Sequence, residues 1–74
     1  MTHLAVISGQ ELIKILGKIG YKPIRQCGSH IRLFSLRRKP ITVPDHKTIG
    51  RGLLRKILRD AEMSLEEFNS LLSK

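Results

Sequence analysis

The stretch Tyr21–Val43, YKPIRQCGSHIRLFSLRRKPITV, decides the fold. Polar and apolar residues alternate in it with period two, β-branched and aromatic types recur, and turn residues interrupt it at Gly28-Ser29 and from Arg37 to Pro40. The pattern reads as three short strands: Tyr21 to Cys27, a second opening at His30, and Ile41 to Val43, closed by Pro44. Parallel strands need crossovers of roughly a dozen residues or more. The connections here are shorter, so the sheet is expected to be antiparallel. In the second strand Ile31 and Leu33 share one face, and His30, Arg32 and Phe34 share the other. Pro23 has no N–H to donate, which places the first strand at an edge or delays its start.

Outward from the strands, the period changes to that of a helix. Ser8 and Glu11 form an S-x-x-E capping box, and Leu12, Ile15, Leu16 and Ile19 follow as one apolar stripe, with Gly20 supplying a left-handed end. Gly17 lies on that helix and costs it about 1 kcal/mol relative to alanine. Beyond the loop Pro44 to Gly50, Arg51 to Ala61 carries Leu53, Leu54, Ile57, Leu58 and Ala61 on one face and Arg51, Arg55 and Arg59 on another. Ser64 with Glu67 makes a second capping box ahead of Leu65, Phe68, Leu71 and Leu72, a short terminal helix. The order is α-β-β-β-α with a short C-terminal helix, an α+β fold with a three-stranded antiparallel sheet. Each long helix has one apolar stripe to bury, so both are expected on one face of the sheet, with Ile31 and Leu33 buried beneath them.

The 74 residues are expected to form one domain, residues 1–74. A chain this short buries only about 60% of its unfolded surface, so an active site on it is shallow. The net charge is +8, and thirteen of the fourteen Lys and Arg lie from Lys14 to Arg59, where the only carboxylate is Asp45. That concentration of positive charge attracts polyanions, nucleic acid above all. A surface charged for solubility alone mixes both signs. The single cysteine, Cys27, has no disulfide partner and no neighbouring ligands at metal-site spacing, and is expected to be a half-buried filler. The apolar run Leu4 to Ile7 is too short for a signal peptide or a membrane span, which points to a cytoplasmic protein with no membrane partner.

The residues available for chemistry are few. No HExxH, no CxxC and no Gly-rich phosphate loop is present, and the basic body has no carboxylate cluster for magnesium, so neither metal nor cofactor is expected. RNA offers a route that needs neither. Its 2′-hydroxyl attacks the adjacent phosphate once a base removes the proton, and cations stabilise the charge that develops on the phosphate oxygens. His30 suits the base: it follows a Gly-Ser turn, opens a strand beside Arg32, and an imidazole titrates near working pH. On the plainer reading it is a surface histidine satisfied by water or by Ser29. Arg25, Arg32, Arg37, Arg38, Lys39, Lys47, Arg51 and Arg55 are candidate phosphate contacts, with Ser29 and His46 as further RNA-binding candidates. His3, near a terminus, is expected to be inert.

The stretches SGQELIKILGKIGY, RQCGSHIRLF, ITVPDHK and GRGLLRKILRDAEMSLEEF together resemble, in order and spacing, the HicA toxins, also called the YcfA family, over Ser8 to Phe68. The resemblance implies a fold of the double-stranded-RNA-binding type and a metal-independent mRNA interferase, an endoribonuclease, whose catalytic residue is the histidine of Gly28-Ser29-His30. It also implies mRNA as substrate and a HicB-type antitoxin that covers the active site. Two departures stand out. Glu62-Met63 replaces the usual Gly-Leu, so the second long helix is expected to end without a glycine cap. Asp45 puts a negative charge beside His46, where substrate phosphate would pass. Two other readings remain from the residues: a double-stranded-RNA-binding module that does not cleave, and a helix-turn-helix DNA-binding domain using Arg51 to Arg59, against which the period-two stretches argue.

Overall fold

The computed structural model describes residues 6–73; His3 lies outside them. The elements run α1 (Gly9–Gly17), β1 (Lys22–Cys27), β2 (His30–Phe34), β3 (Ile41–Pro44), α2 (Arg51–Asp60) and α3 (Leu65–Leu72). The three strands form one antiparallel sheet in the order β1-β2-β3. The α+β architecture read from the sequence is the one observed.

Local signals explain where the helices begin and end. At the start of α1 the Glu11 N–H donates to Ser8 Oγ at 3.1 Å and the Ser8 N–H donates to Glu11 Oε1 at 2.9 Å, closing the capping box. Hydrogen bonding to the carboxylate by the Ser8 N–H, and then by the Ser8 side chain, holds the Glu11 carboxyl below its usual range. The regular helix stops at Gly17, earlier than Gly20, because the chain tightens into a Schellman turn. Tyr21 N–H donates to Leu16 O and Gly20 N–H to Gly17 O, with Gly20 at φ +104°. The second long helix closes in the same way without a glycine. Met63 N–H donates to Leu58 O, Glu62 N–H donates to Arg59 O, and Glu62 itself is left-handed at φ +57°. A residue with a Cβ pays about 1–2 kcal/mol for that conformation. Ahead of α3, Ser64 Oγ accepts the Glu67 N–H at 3.0 Å.

One hydrophobic core follows from the alternation. Ile31 and Leu33 of β2 and Ile41 and Val43 of β3 are buried against Leu12, Ile15 and Leu16 of α1, Leu54, Ile57 and Leu58 of α2, and Phe68 of α3. Both long helices therefore cover one face of the sheet, and the opposite face is open. Tyr21 is buried at the edge of this core and donates its hydroxyl to Lys39 O at 2.8 Å, tying the start of β1 to the loop before β3; burial pushes its phenol up.

Three expectations need correction. Leu53, assigned to the buried stripe of α2, is 39% exposed. Cys27 is exposed rather than half-buried. The first strand begins at Lys22, not Tyr21, and is exposed along its whole length. Its register slips between Pro23, opposite Leu33, and Arg25, opposite Arg32, so Ile24 has no partner and stands 61% exposed. A bulge and a proline at a sheet edge both make it a poor template for a further strand.

Candidate functional site

The open face of the sheet is where the polar half of β2 points. The alternation that buries Ile31 and Leu33 leaves His30, Arg32 and Phe34 exposed. Register then assembles their neighbours: Cys27 lies opposite His30 and Arg25 opposite Arg32 on β1, while Pro44 and Thr42 hold the corresponding places on β3. Arg25, Cys27, His30, Arg32 and Thr42 line a shallow depression of about 280 Å³. Like charges placed across a strand pair repel. An anion between Arg25 and Arg32 relieves that repulsion. Arg32 Nη1 donates to Thr42 Oγ1 at 2.9 Å, which limits its movement, and among the described residues its guanidinium makes no other side-chain hydrogen bond.

His30 and Arg32 also line a second depression, a groove of about 470 Å³ that runs along β3 to α2 and takes in His46, Leu53, Lys56 and Asp60. His46 belongs to the loop after β3, and that loop is held at four points. Asp45 N–H donates to Ser29 O at 2.6 Å, Gly9 N–H to His46 O at 2.9 Å, Ile49 N–H to Ile7 O at 2.8 Å, and Gln10 Nε2 to Asp45 Oδ1 at 3.0 Å. A Cβ at Gly9 would run into the Pro44 carbonyl oxygen, so this approach of α1 to the loop requires glycine. The Asp45 carboxylate, which the sequence set in the path of a phosphate, has one oxygen engaged by Gln10 at the start of α1.

The other candidate contacts divide. Ser29 is exposed in the turn before His30, and Lys47 and Arg51 are exposed in the loop and at the first turn of α2. Arg38 is turned elsewhere: its Nη1 donates to Ala61 O at 2.6 Å and to Glu62 O at 3.3 Å, capping the end of α2. Lys39 pairs with Asp60 at 3.3 Å. Arg37 lines a separate hollow with Ile19, Leu36 and Glu62, and Arg55 another with Arg59 and Met63. The structure thus gathers Arg25, His30, Arg32 and His46, and sets Arg37, Arg38 and Arg55 apart from them.

Two groove residues were missed by sequence reasoning, Lys56 and Asp60. Neither belongs to the apolar stripe or to the arginine stripe of α2, but their opposite charges at i,i+4 spacing were legible. Lys56 Nζ donates to Asp60 Oδ2 at 2.9 Å. The hydrogen bonds from Lys56 and then Lys39 hold the Asp60 carboxyl below its usual range. Among the described residues no three His, Cys, Asp or Glu side chains group as a metal site, and no helix is long and apolar enough to cross a membrane.

A family model described as HicA toxin of bacterial toxin-antitoxin matches residues 9–63, the span from α1 through α2. No curated protein and no solved structure matches.

Proposed function

The chain belongs to the HicA toxin family of bacterial toxin–antitoxin systems, and from that premise we propose that it is a metal-independent endoribonuclease that cleaves mRNA with His30 as its one catalytic residue. The observation that carries this reading is the joint exposure of His30 and Arg32 on the open face, with Arg25 opposite and Thr42 restraining Arg32. A base and a fixed cation side by side are what the transesterification of RNA needs.

In the proposed reaction an imidazole nitrogen of His30 takes the proton of the 2′-hydroxyl as that oxygen attacks phosphorus. The P–O5′ bond breaks as the O2′–P bond forms, and the departing 5′ oxygen takes a proton from water, to which the shallow groove is open. The products are a 2′,3′-cyclic phosphate and a 5′-hydroxyl. Arg32 and Arg25 bind the non-bridging oxygens, whose charge grows toward the transition state, and His46 contacts a neighbouring phosphate. Lys47, Arg51 and Ser29 lie along the approach. Thr42 acts through Arg32 and is a positioning residue. An acidic antitoxin surface that covers this face competes with RNA for the same cations, and its encounter rate falls with salt.

The test compares wild type with His30→Ala for cleavage, RNA affinity and thermal melting in one buffer. Cleavage is expected to fall about a hundred- to ten-thousand-fold, the range general acid–base catalysis supplies, while affinity spread over many phosphate contacts changes little. Activity should survive EDTA and fail on a strand whose 2′-hydroxyls are replaced by hydrogen. A variant that binds RNA like wild type while wild type itself cuts nothing would make the protein a non-cleaving RNA-binding module.

A further inference from the structure

The groove extends past His30 and Arg32 to an end that the proposed chemistry leaves unused, between β3 and α2. Pro40, Leu53 and Ile57 give that end an apolar lining, and Leu53 is held 39% exposed there although its helix neighbour Leu54 is fully buried. Beside them stands the Asp60 carboxylate. Lys39 takes Oδ1 and Lys56 takes Oδ2, and a carboxylate has about four acceptor positions, so each oxygen keeps one. The site therefore offers an apolar wall next to a charged donor and a pair of acceptors.

Backbone geometry narrows what occupies it. The Asp45–Ser29 bond marks a hydrogen-bonded pair of the β2–β3 ladder, so by alternation residues 40, 42 and 44 turn their backbone groups away from β2. Two of these are Pro40 and Pro44, which have no N–H, so a partner strand finds only Thr42 to accept from along this edge. An added β-strand fits poorly. A groove of about 470 Å³ falls in the range of small-ligand sites, about 300–1,000 Å³, and suits one splayed nucleotide rather than a duplex.

We propose that this end of the groove is a nucleobase subsite for single-stranded RNA that prefers guanine, with the base packed on Leu53 and Pro40 and its N1–H and N2–H groups donating to the Asp60 carboxylate. The proposal rests on the RNA-cleaving reading above and names the base that flanks the cut. Guanine is the one RNA base with two adjacent donors on its pairing edge, and its O6, next to N1, accepts from Lys56. Uracil presents one N–H between two carbonyls, which the carboxylate repels. Adenine and cytosine each present one amino group beside an acceptor nitrogen, half of the match.

Guanosine, adenosine, cytidine and uridine 3′-monophosphates cannot be cleaved, so their binding is independent of catalysis. Titrated into the isotope-labelled protein, guanosine 3′-monophosphate is expected to shift the Thr42, Leu53, Ile57 and Asp60 amides and to bind about tenfold tighter than uridine 3′-monophosphate, within the discrimination expected of a bidentate base contact. Inosine 3′-monophosphate, which lacks the N2 amino group, should lose most of that advantage. Asp60→Asn should reduce it to less than about twofold, and Leu53→Ala, at an exposed position, should weaken all four nucleotides alike, with dispersed spectra confirming that both variants are folded. Equal affinities, shifts confined to Arg25 and Arg32, or a guanine preference that survives Asp60→Asn would overturn the subsite. Cleavage of RNA by wild type without guanine binding overturns the subsite and leaves the role of His30 standing. Guanine binding without cleavage of any RNA does the reverse.

Discussion

Arg32 and Arg38 lie on the same hairpin of the chain and would be counted alike in any tally of positive charge, yet the structure uses them oppositely. Arg32 sits on the open face of β2, donates once to Thr42, and presents the rest of its guanidinium to the groove. Arg38 spends its donors on the carbonyls of Ala61 and Glu62, which lie just past the last residue of α2, where no further helical turn follows to supply an N–H. The cations at the His30 end of the sheet are available to a ligand. Arg38 and Lys39, at the Ser35–Pro40 end, are engaged by the fold. A cation's availability is thus decided by which acceptors the fold has brought near it, and net charge does not report that.

The division is broken most directly at Arg32. Arg32→Ala should slow cleavage about a hundredfold, the lower end of the effect of removing one charge-stabilising donor, with a melting temperature close to wild type, whereas Thr42→Val should give a smaller loss that Arg32 still carries. Arg38→Ala should do the opposite. It is expected to destabilise the fold by about 1–2 kcal/mol through loss of a charged hydrogen bond to partly buried carbonyls, and to leave the rate per folded molecule unchanged. Slowed cleavage by Arg38→Ala with an unaltered melt would place Arg38 in the path of the proposed substrate and erase the contrast.

Glu62→Gly sharpens the same comparison from the structural side. Removing the Cβ from a left-handed cap should stabilise the protein by about 1 kcal/mol, a rise of roughly 4–8 °C in melting temperature for a domain of this size, with no change in cleavage. If the melt does not rise, Arg38 and the backbone bonds already offset the strain. The smallest effect is expected with pH. Asp60 and Glu11 are held below their ordinary values of 3.8 and 4.5 by hydrogen bonds to the ionised form, so the folded state binds protons less readily than the unfolded one. Their contribution is present above about pH 4.5 and is lost as the pH falls below it. Melts between pH 7 and pH 3 should show this decline, shallower in Asp60→Asn, and an unchanged slope in that variant would remove Asp60 from the account.

By itself the sequence determined the order of elements, the antiparallel sheet and the face on which each residue of β2 lies. These follow from period, turn residues and caps, which are local: Ser8 with Glu11 opens α1, Gly20 closes it, and the alternation through His30–Phe34 buries Ile31 and Leu33 while exposing His30 and Arg32. That His30 and Arg32 share the open face was legible for the same reason, since a strand assigns faces by parity. What only the tertiary structure decided was partnership between distant segments. The bulge at Ile24 is set by how β1 meets β2, and the exposure of Leu53 by where α2 crosses β3. The reach of Arg38 to Ala61 spans elements far apart in sequence, as does the meeting of Lys39 with Asp60 beside the groove. Local propensity carries no information on such distances, because an arginine has the same chemistry whether its donors meet a helix end or water, and only the packed chain chooses between them.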